Sequence, residues 1–193
     1  ERLFLRPASF YDEHDISLRL GDPVRAIDPA AKTLCVGGDT LSYDELALTT
    51  GSLPRRLPAA IGGDLVGVYT VRTLADVDAM APEFAPGRRV LIIGGGYIGL
   101  EAAAVAARKG LSVTVVEMAD RILQRVASPQ TSDFIRAAHL AEGVDIREGV
   151  GLDHLIGAGR VKSAKLTDGN ELALDFVIVG VGITPAIALA EEC

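Results

Sequence analysis

The sequence predicts an α/β protein, with a parallel sheet and a β-meander attached to a β-rich N-terminal region. Three observations predict it. Residues 90–93 and 176–179 are short, wholly apolar runs, the second as expected of a strand buried on both faces, and 113–116 is a β-branched run. Between 90–93 and 113–116 lie a glycine-rich turn and an alanine-rich stretch with helical character. From 152 to 174, three alternating segments are separated by turn residues.

Taken in order, residues 1–70 have a β texture. Ile16-Ser17-Leu18-Arg19-Leu20 alternates apolar and polar residues and reads as a strand. Val24 to Ile27 reads as another, ended by an Asp28-Pro29 turn. Residues 32–36 and 40–42 flank Gly37-Gly38-Asp39, a hairpin signal. Residues 53–58, with Pro54 and Pro58, read as loop. Residues 66–71 read as a strand, and 73–80 as a short helix capped by Thr73 with Asp76 in its first turn. The domain boundary is expected between 71 and 87, giving domains at 1–80 and 85–183, with 184–193 returning to the first.

From Arg88 the texture is α/β. Ser128-Pro129 is a helix start, with Ser as cap and Pro at the first helical position. Phe134, Ile135, Ala138 and Ala141 are expected to form its inward face, and Gly143 its end. Residues 144–147 read as the third parallel strand. The meander follows at 152–156, 161–166 and 171–174, with Asp168-Gly169 as a turn.

The segment from Arg89 to Glu117 carries the chemistry. Gly94-Gly95-Gly96-Tyr97-Ile98-Gly99 follows a strand, opens a helix and is followed by a second strand ending in an acid. That is the order a dinucleotide-binding unit requires. Gly94 permits a sharp turn, Gly96 lets a pyrophosphate approach the backbone, and Gly99 lets the helix pack against the sheet. The helix N-terminus presents N–H groups to phosphate. Tyr97 stands at that same turn. Glu117 is spaced for the hydroxyls of an adenosine ribose, and no Arg or Lys occupies 118–120, which favours NAD over NADP. The alternative without a ligand is a glycine turn in a parallel sheet beside a surface Glu.

Composition narrows the classes. The chain has 193 residues, 49% hydrophobic and 23% charged, with net charge −7. It can build a core, and its acidity argues against nucleic acid as a partner. No apolar run is long enough to span a membrane. Cys35 and Cys193 have no metal or redox spacing, and a reducing cytoplasmic setting is expected. His14, His139 and His154 suggest neither a metal site nor a triad. With Glu1 first and Cys193 inside a helical-looking stretch, the sequence reads as a piece of a longer protein.

The order of these elements, together with Thr49-Thr50-Gly51-Ser52-Leu53-Pro54-Arg55, GGGYIGLE (94–101), VTVVE (113–117) and VIVGVGITP (177–185), resembles the FAD-dependent pyridine nucleotide–disulfide oxidoreductase superfamily. Within it, the resemblance is to the ferredoxin and rubredoxin reductases that serve oxygenases. Arg6-Pro7-x-x-Phe10-Tyr11 is also similar to that branch. The resemblance implies an NAD domain inserted into an FAD domain, with NAD(H) and FAD as cofactors. It implies a ferredoxin or rubredoxin as partner, with neither nucleic acid nor membrane involved. The family's FAD glycine motif and its late Gly-Asp motif are expected outside this chain, since neither Gly38-Asp39 nor Gly63-Asp64 follows a suitable strand.

By the same resemblance, Arg125 approaches the NAD adenine, Gly180, Val181 and Gly182 lie near the nicotinamide, and Ile98 and Glu101 lie between nicotinamide and flavin. Val24 neighbours the FAD adenine, while Thr50, Gly51 and Arg55 contact the flavin nucleotide. Thr49 stands where the family usually has Ala. Arg125 also reads as a solvated charge, Glu101 as a surface helix Glu, and Thr50-Gly51 as an ordinary turn. No general acid or base is required. Two other functions remain open on the sequence: a disulfide reductase whose cysteine pair lies outside this chain, and an NAD-sensing module without catalysis. Arg55-Arg56 and Arg88-Arg89 are candidate basic patches for an acidic ferredoxin.

Overall fold

In the computed structural model, which describes residues 4–193, the chain divides into two compact units. One comprises Glu1–Gly51 with Pro185–Cys193, and the other Ser52–Thr184.

The smaller unit begins with α1 (Ala8–Glu13), where the Arg6 guanidinium lies 5.3 Å from the Phe10 ring centre. The expected strand at 16–20 does not form. Those residues are exposed and follow a turn in which Asp15 takes φ 55°. Alternation alone cannot make a strand without a neighbouring edge to pair with. Next come β1 (Val24–Asp28), β2 (Thr33–Val36) and β3 (Asp39–Ser42), an antiparallel three-stranded sheet. The Gly37-Gly38 hairpin forms as expected, with Gly37 at φ 61° and Val36 opposite Asp39.

The larger unit opens with β4 (Ser52–Pro54), where the sequence suggested only loop. Pro removes a ladder donor but is tolerated on an edge, and this two-stranded pair is all edge. The five-stranded sheet is parallel, in the order β5-β12-β6-β7-β8. Its members are β5 (Val68–Thr70), β6 (Arg89–Ile93), β7 (Ser112–Glu117), β8 (Asp145–Glu148) and β12 (Phe176–Val179). The helix α2 (Leu74–Met80) carries a full capping box between Thr73 and Asp76. The helix α3 (Tyr97–Arg108) joins β6 to β7, and α4 (Pro129–Ala141) precedes β8. Before β12 come β9 (Leu152–Ala158), β10 (Arg160–Leu166) and β11 (Glu171–Ala173), an antiparallel meander. The strand β13 (Ile183–Pro185) pairs with β4, and the last helix, α5 (Ala188–Glu191), belongs to the smaller unit.

The larger unit is layered by strand alternation. Val90, Ile92, Val113, Val115, Phe176 and Ile178 face one side, where Ala103 and Ala106 of α3 meet them. Leu91, Ile93, Val116, Val177 and Val179 face the other, against Leu155, Val161, Ala164 and Leu166 of the meander. Small alanines let α3 lie close to the sheet. All four residues of β12 are buried, as its unbroken apolar run predicts.

Two expectations need correction. Residues 52–80 belong to the larger unit, not to a first domain ending at 80, because β5 hydrogen-bonds β12 in parallel register and Met80 is buried in the same core as Phe176. On α4, Phe134 is 73% exposed and Ala138 and Ala141 are also exposed. The inward positions are Ser132, Ile135, Arg136 and His139, two helical turns that include polar groups with tertiary partners. Phe134→Ser is therefore expected to change stability by less than about 0.5 kcal/mol in urea unfolding. A loss of 2 kcal/mol would restore Phe134 to the core.

Among the described residues, no helix is long and apolar enough to cross a membrane.

Candidate nucleotide site

The site grows out of strand order. The chain leaves β6 toward β7 and β8, then returns through β12 on the other side of β6. The carboxyl ends of β6 and β12 thus flank a point where strand order reverses, the usual place for a ligand crevice. A cleft of about 750 Å³ opens there. Gly94, Gly96, Tyr97, Ile98, Glu117, Arg125, Gly180, Val181 and Gly182 all line it.

The three glycines differ physically. Gly94 has φ 109°, and a side-chain carbon there would meet the Gly180 carbonyl oxygen at 2.4 Å. A carbon at Gly99 would lie 2.1 Å from the Gly94 carbonyl oxygen, so Gly99 is what lets α3 start under the turn. At Gly96 the same carbon would meet no protein atom within 4 Å, though the residue lines the cleft. Gly96 thus leaves space on the ligand side, where a diphosphate would approach the backbone. No side chain caps the start of α3, so its first N–H groups have no side-chain competitor.

Glu117 ends β7 and is engaged locally. Its Oε2 accepts from the Gly95 N–H at 2.8 Å and its Oε1 from the Ala119 N–H at 2.8 Å. A carboxylate accepts about four hydrogen bonds, so lone pairs remain for two ribose hydroxyls. Ile98 and Tyr97 are exposed at the cleft, 42% and 60% respectively. Arg125 is exposed at its wall, and among the described residues it has no ion pair.

Other expected site residues fall elsewhere. Gly99 is buried behind the turn, and Glu101 is exposed on α3 outside the cleft lining. Val24 and Thr50 line a separate apolar cavity of about 370 Å³ in the smaller unit, with Ile27, Leu34, Leu46 and Leu48. Gly51 is not in that lining, although it accepts from the Ala186 N–H at 3.0 Å while the Thr50 hydroxyl donates to the Ala186 carbonyl at 2.6 Å. Arg55 belongs to the larger unit, where its Nε donates to the Ile183 carbonyl at 3.2 Å.

Of the two arginine pairs, Arg88-Arg89 is tied to carboxylates. Arg88 contacts Glu83, and Arg89 is paired with Asp175 at 3.1 Å. Hydrogen bonds from Arg89 hold the Asp175 carboxyl below its ordinary range, while they and its charge raise Arg89 further.

Sequence reasoning missed Met118, Leu123, Gln124, Val126 and Gly151, all in the cleft wall. The signal available was positional: residues 118–127 connect a strand's carboxyl end to a capped helix, so they must lie at the crevice. Gly151 gave no such signal. A side-chain carbon there would lie 2.8 Å from Met118 Cγ.

The strand–glycine turn–helix unit at the carboxyl edge of a parallel sheet defines a Rossmann-like α/β protein. The chain belongs to the pyridine nucleotide-disulphide oxidoreductase family, whose model matches residues 5–193. It is 44% identical over 190 residues to a ferredoxin–NAD(P)(+) reductase of a Sphingomonas species, covering 97% of this chain and 46% of that protein. It is 37% identical to the putidaredoxin reductase of Pseudomonas putida, covering 98% of this chain and 46% of that protein. A putidaredoxin reductase in covalent complex with putidaredoxin superposes with a TM-score of 0.88 at 36% identity, over 98% of this chain and 47% of that one. The chain thus spans just under half the length of these relatives.

Proposed function

We propose that this chain is the NADH-binding part, with a portion of the FAD-binding part, of a flavoprotein reductase. That enzyme would pass electrons from NADH through FAD to a ferredoxin or rubredoxin of an oxygenase system. The observation that carries the reading is the cleft at Gly94–Gly99, open at Gly96 and closed by protein at Gly94 and Gly99. The names of its relatives, reductases of ferredoxin and putidaredoxin, support the electron acceptor.

NADH supplies a hydride when bound. The chain's own residues bind and orient it. The start of α3 and the bare Gly96 backbone receive the diphosphate. Glu117 accepts from the adenosine ribose hydroxyls and disfavours a 2′-phosphate by charge. Arg125 approaches the adenine. Gly180 and Gly182, without side chains, leave room for the nicotinamide at the end of β12, beside Ile98. The larger unit is the NAD-binding domain in this reading and the smaller one part of the FAD-binding domain. The cavity at Val24 and Thr50 in the smaller unit would receive part of the FAD nucleotide. Glu101, Gly51 and Arg55 line neither cleft, and their flavin-side roles rest on the family resemblance alone. The two unpaired cysteines suit a cytoplasmic enzyme.

With FAD bound, the intact protein is expected to reduce both ferricyanide and a ferredoxin with NADH. Reduction of neither would reject the proposal.

A further inference from the structure

The wall of the cleft between β7 and α4 is held by side chains that lie behind it. Ile122 is fully buried. Its N–H donates to Glu148 Oε1 at 2.7 Å, and its carbonyl accepts from Ser132 Oγ at 2.7 Å. Ser132 is itself fully buried, and its oxygen also accepts from Arg121 Nη1 at 2.6 Å. Arg136 grips Glu148 with two bonds, Nε to Oε2 at 2.9 Å and Nη2 to Oε1 at 2.8 Å. Asp133 in turn holds Arg136 at 2.7 Å. Next along the loop, the Leu123 N–H donates to the Gly95 carbonyl at 2.9 Å, within the glycine turn.

Leu123 takes φ 55°, a left-handed conformation that is unfavourable for a non-glycine residue. Such a residue persists only where its surroundings fix it. Here both backbone groups of its neighbour are satisfied by side chains from α4 and β8. The loop that carries Arg121, Gln124 and Arg125 into the cleft is therefore set before any ligand arrives.

We propose that Ser132, Arg136 and Glu148 are positioning residues for the adenosine half of NADH, acting through the 118–126 loop without touching the ligand. This rests on the NADH reading of the cleft. The physical basis is preorganisation: a loop already ordered loses less entropy on binding. The nicotinamide half meets the ends of β6 and β12, which this network does not brace.

The test is calorimetric titration of the intact protein with two half-ligands, ADP-ribose and reduced nicotinamide mononucleotide. Ser132→Ala is expected to weaken ADP-ribose about tenfold, about 1.4 kcal/mol, and to leave the mononucleotide unchanged. Equal weakening of both would make the network mere fold support and overturn the inference, as would no weakening of either. If Ser132→Ala fails to fold, Arg136→Lys keeps the charge and loses the two-pronged grip. It is expected to give the same split at about threefold, and its failure to do so would count equally against the inference. Wild-type protein that binds neither NADH nor ADP-ribose would reject the NADH reading itself, and this inference with it.

Discussion

Glu83→Ala is expected to destabilise the larger unit by roughly 2–4 kcal/mol, because it strands two arginines around an emptied buried site. Glu83 is 6% exposed. Its Oε1 accepts from the Tyr69 hydroxyl at 2.8 Å and from Arg160 Nη2 at 2.6 Å. Its Oε2 lies 2.5 Å from Arg88 Nη2, in charge contact but without hydrogen-bond geometry. The two arginine side chains are 32% and 40% exposed, so solvent recovers part of their cost, and the range sits below that of a fully buried pair. The cluster matters because it ties separate parts of the chain: Tyr69 is on β5, Arg160 on the meander, and Arg88 enters β6.

The pH dependence follows from the same groups. Burial pushes the Glu83 carboxyl up, but hydrogen bonds from Arg160 and Tyr69 and the charge of Arg88 outweigh it and leave it below its ordinary value. A carboxyl with a lowered folded pKa contributes stability that is complete above its unfolded value, about 4.3, and is lost as pH falls through the folded value. Burial and the bond to Glu83 also raise Tyr69, which stays protonated and donating through neutral pH. Urea unfolding at pH 7 and at pH 3 should thus show the variant closer to wild type in acid. A pH-independent difference, or a cost under 0.5 kcal/mol, would remove Glu83 from the framework.

Glu117→Ala is expected to weaken NADH by about 1–3 kcal/mol, the cost of losing hydrogen bonds to a charged group. The structure adds a second route to the same loss. Glu117 holds the Gly95 and Ala119 N–H groups, so its removal loosens the glycine turn as well as the proposed ribose contact. Glu117→Gln separates the two routes. Its single amide oxygen can hold one of those N–H groups, while the lost charge relaxes discrimination against a 2′-phosphate. The Gln variant should therefore bind NADPH relatively better than wild type and lose less NADH affinity than Ala. Unchanged NADH affinity in Glu117→Ala would take the residue out of the site.

The central strands β6 and β12 were legible because burial on both faces leaves unbroken apolar runs, as at Phe176 to Val179. Helix starts were legible where a cap is local, as at Thr73 and Ser128. The glycine turn was legible because Gly94 and Gly99 are demanded by backbone contacts within one strand–helix unit. The strand expected at 16–20 failed because alternation describes a face without supplying a partner edge. The α4 face was misread because its inward positions include Ser132 and Arg136, whose partners Ile122 and Glu148 lie outside the helix. Arg88 and Arg89 looked like surface charge until the fold brought Glu83 and Asp175 beside them.

The sequence by itself determined the α/β class, the glycine turn and the acid at the end of the next strand. Those depend on periodicity, on backbone φ and on spacing within about 30 residues, all local quantities. Only the tertiary structure decided that residues 52–80 join the larger unit, that β12 lies against β6 to make the crevice, and that Ser132 and Glu148 hold its far wall. Each of these is a pairing between separate segments, and the periodicity of one segment does not specify its partner.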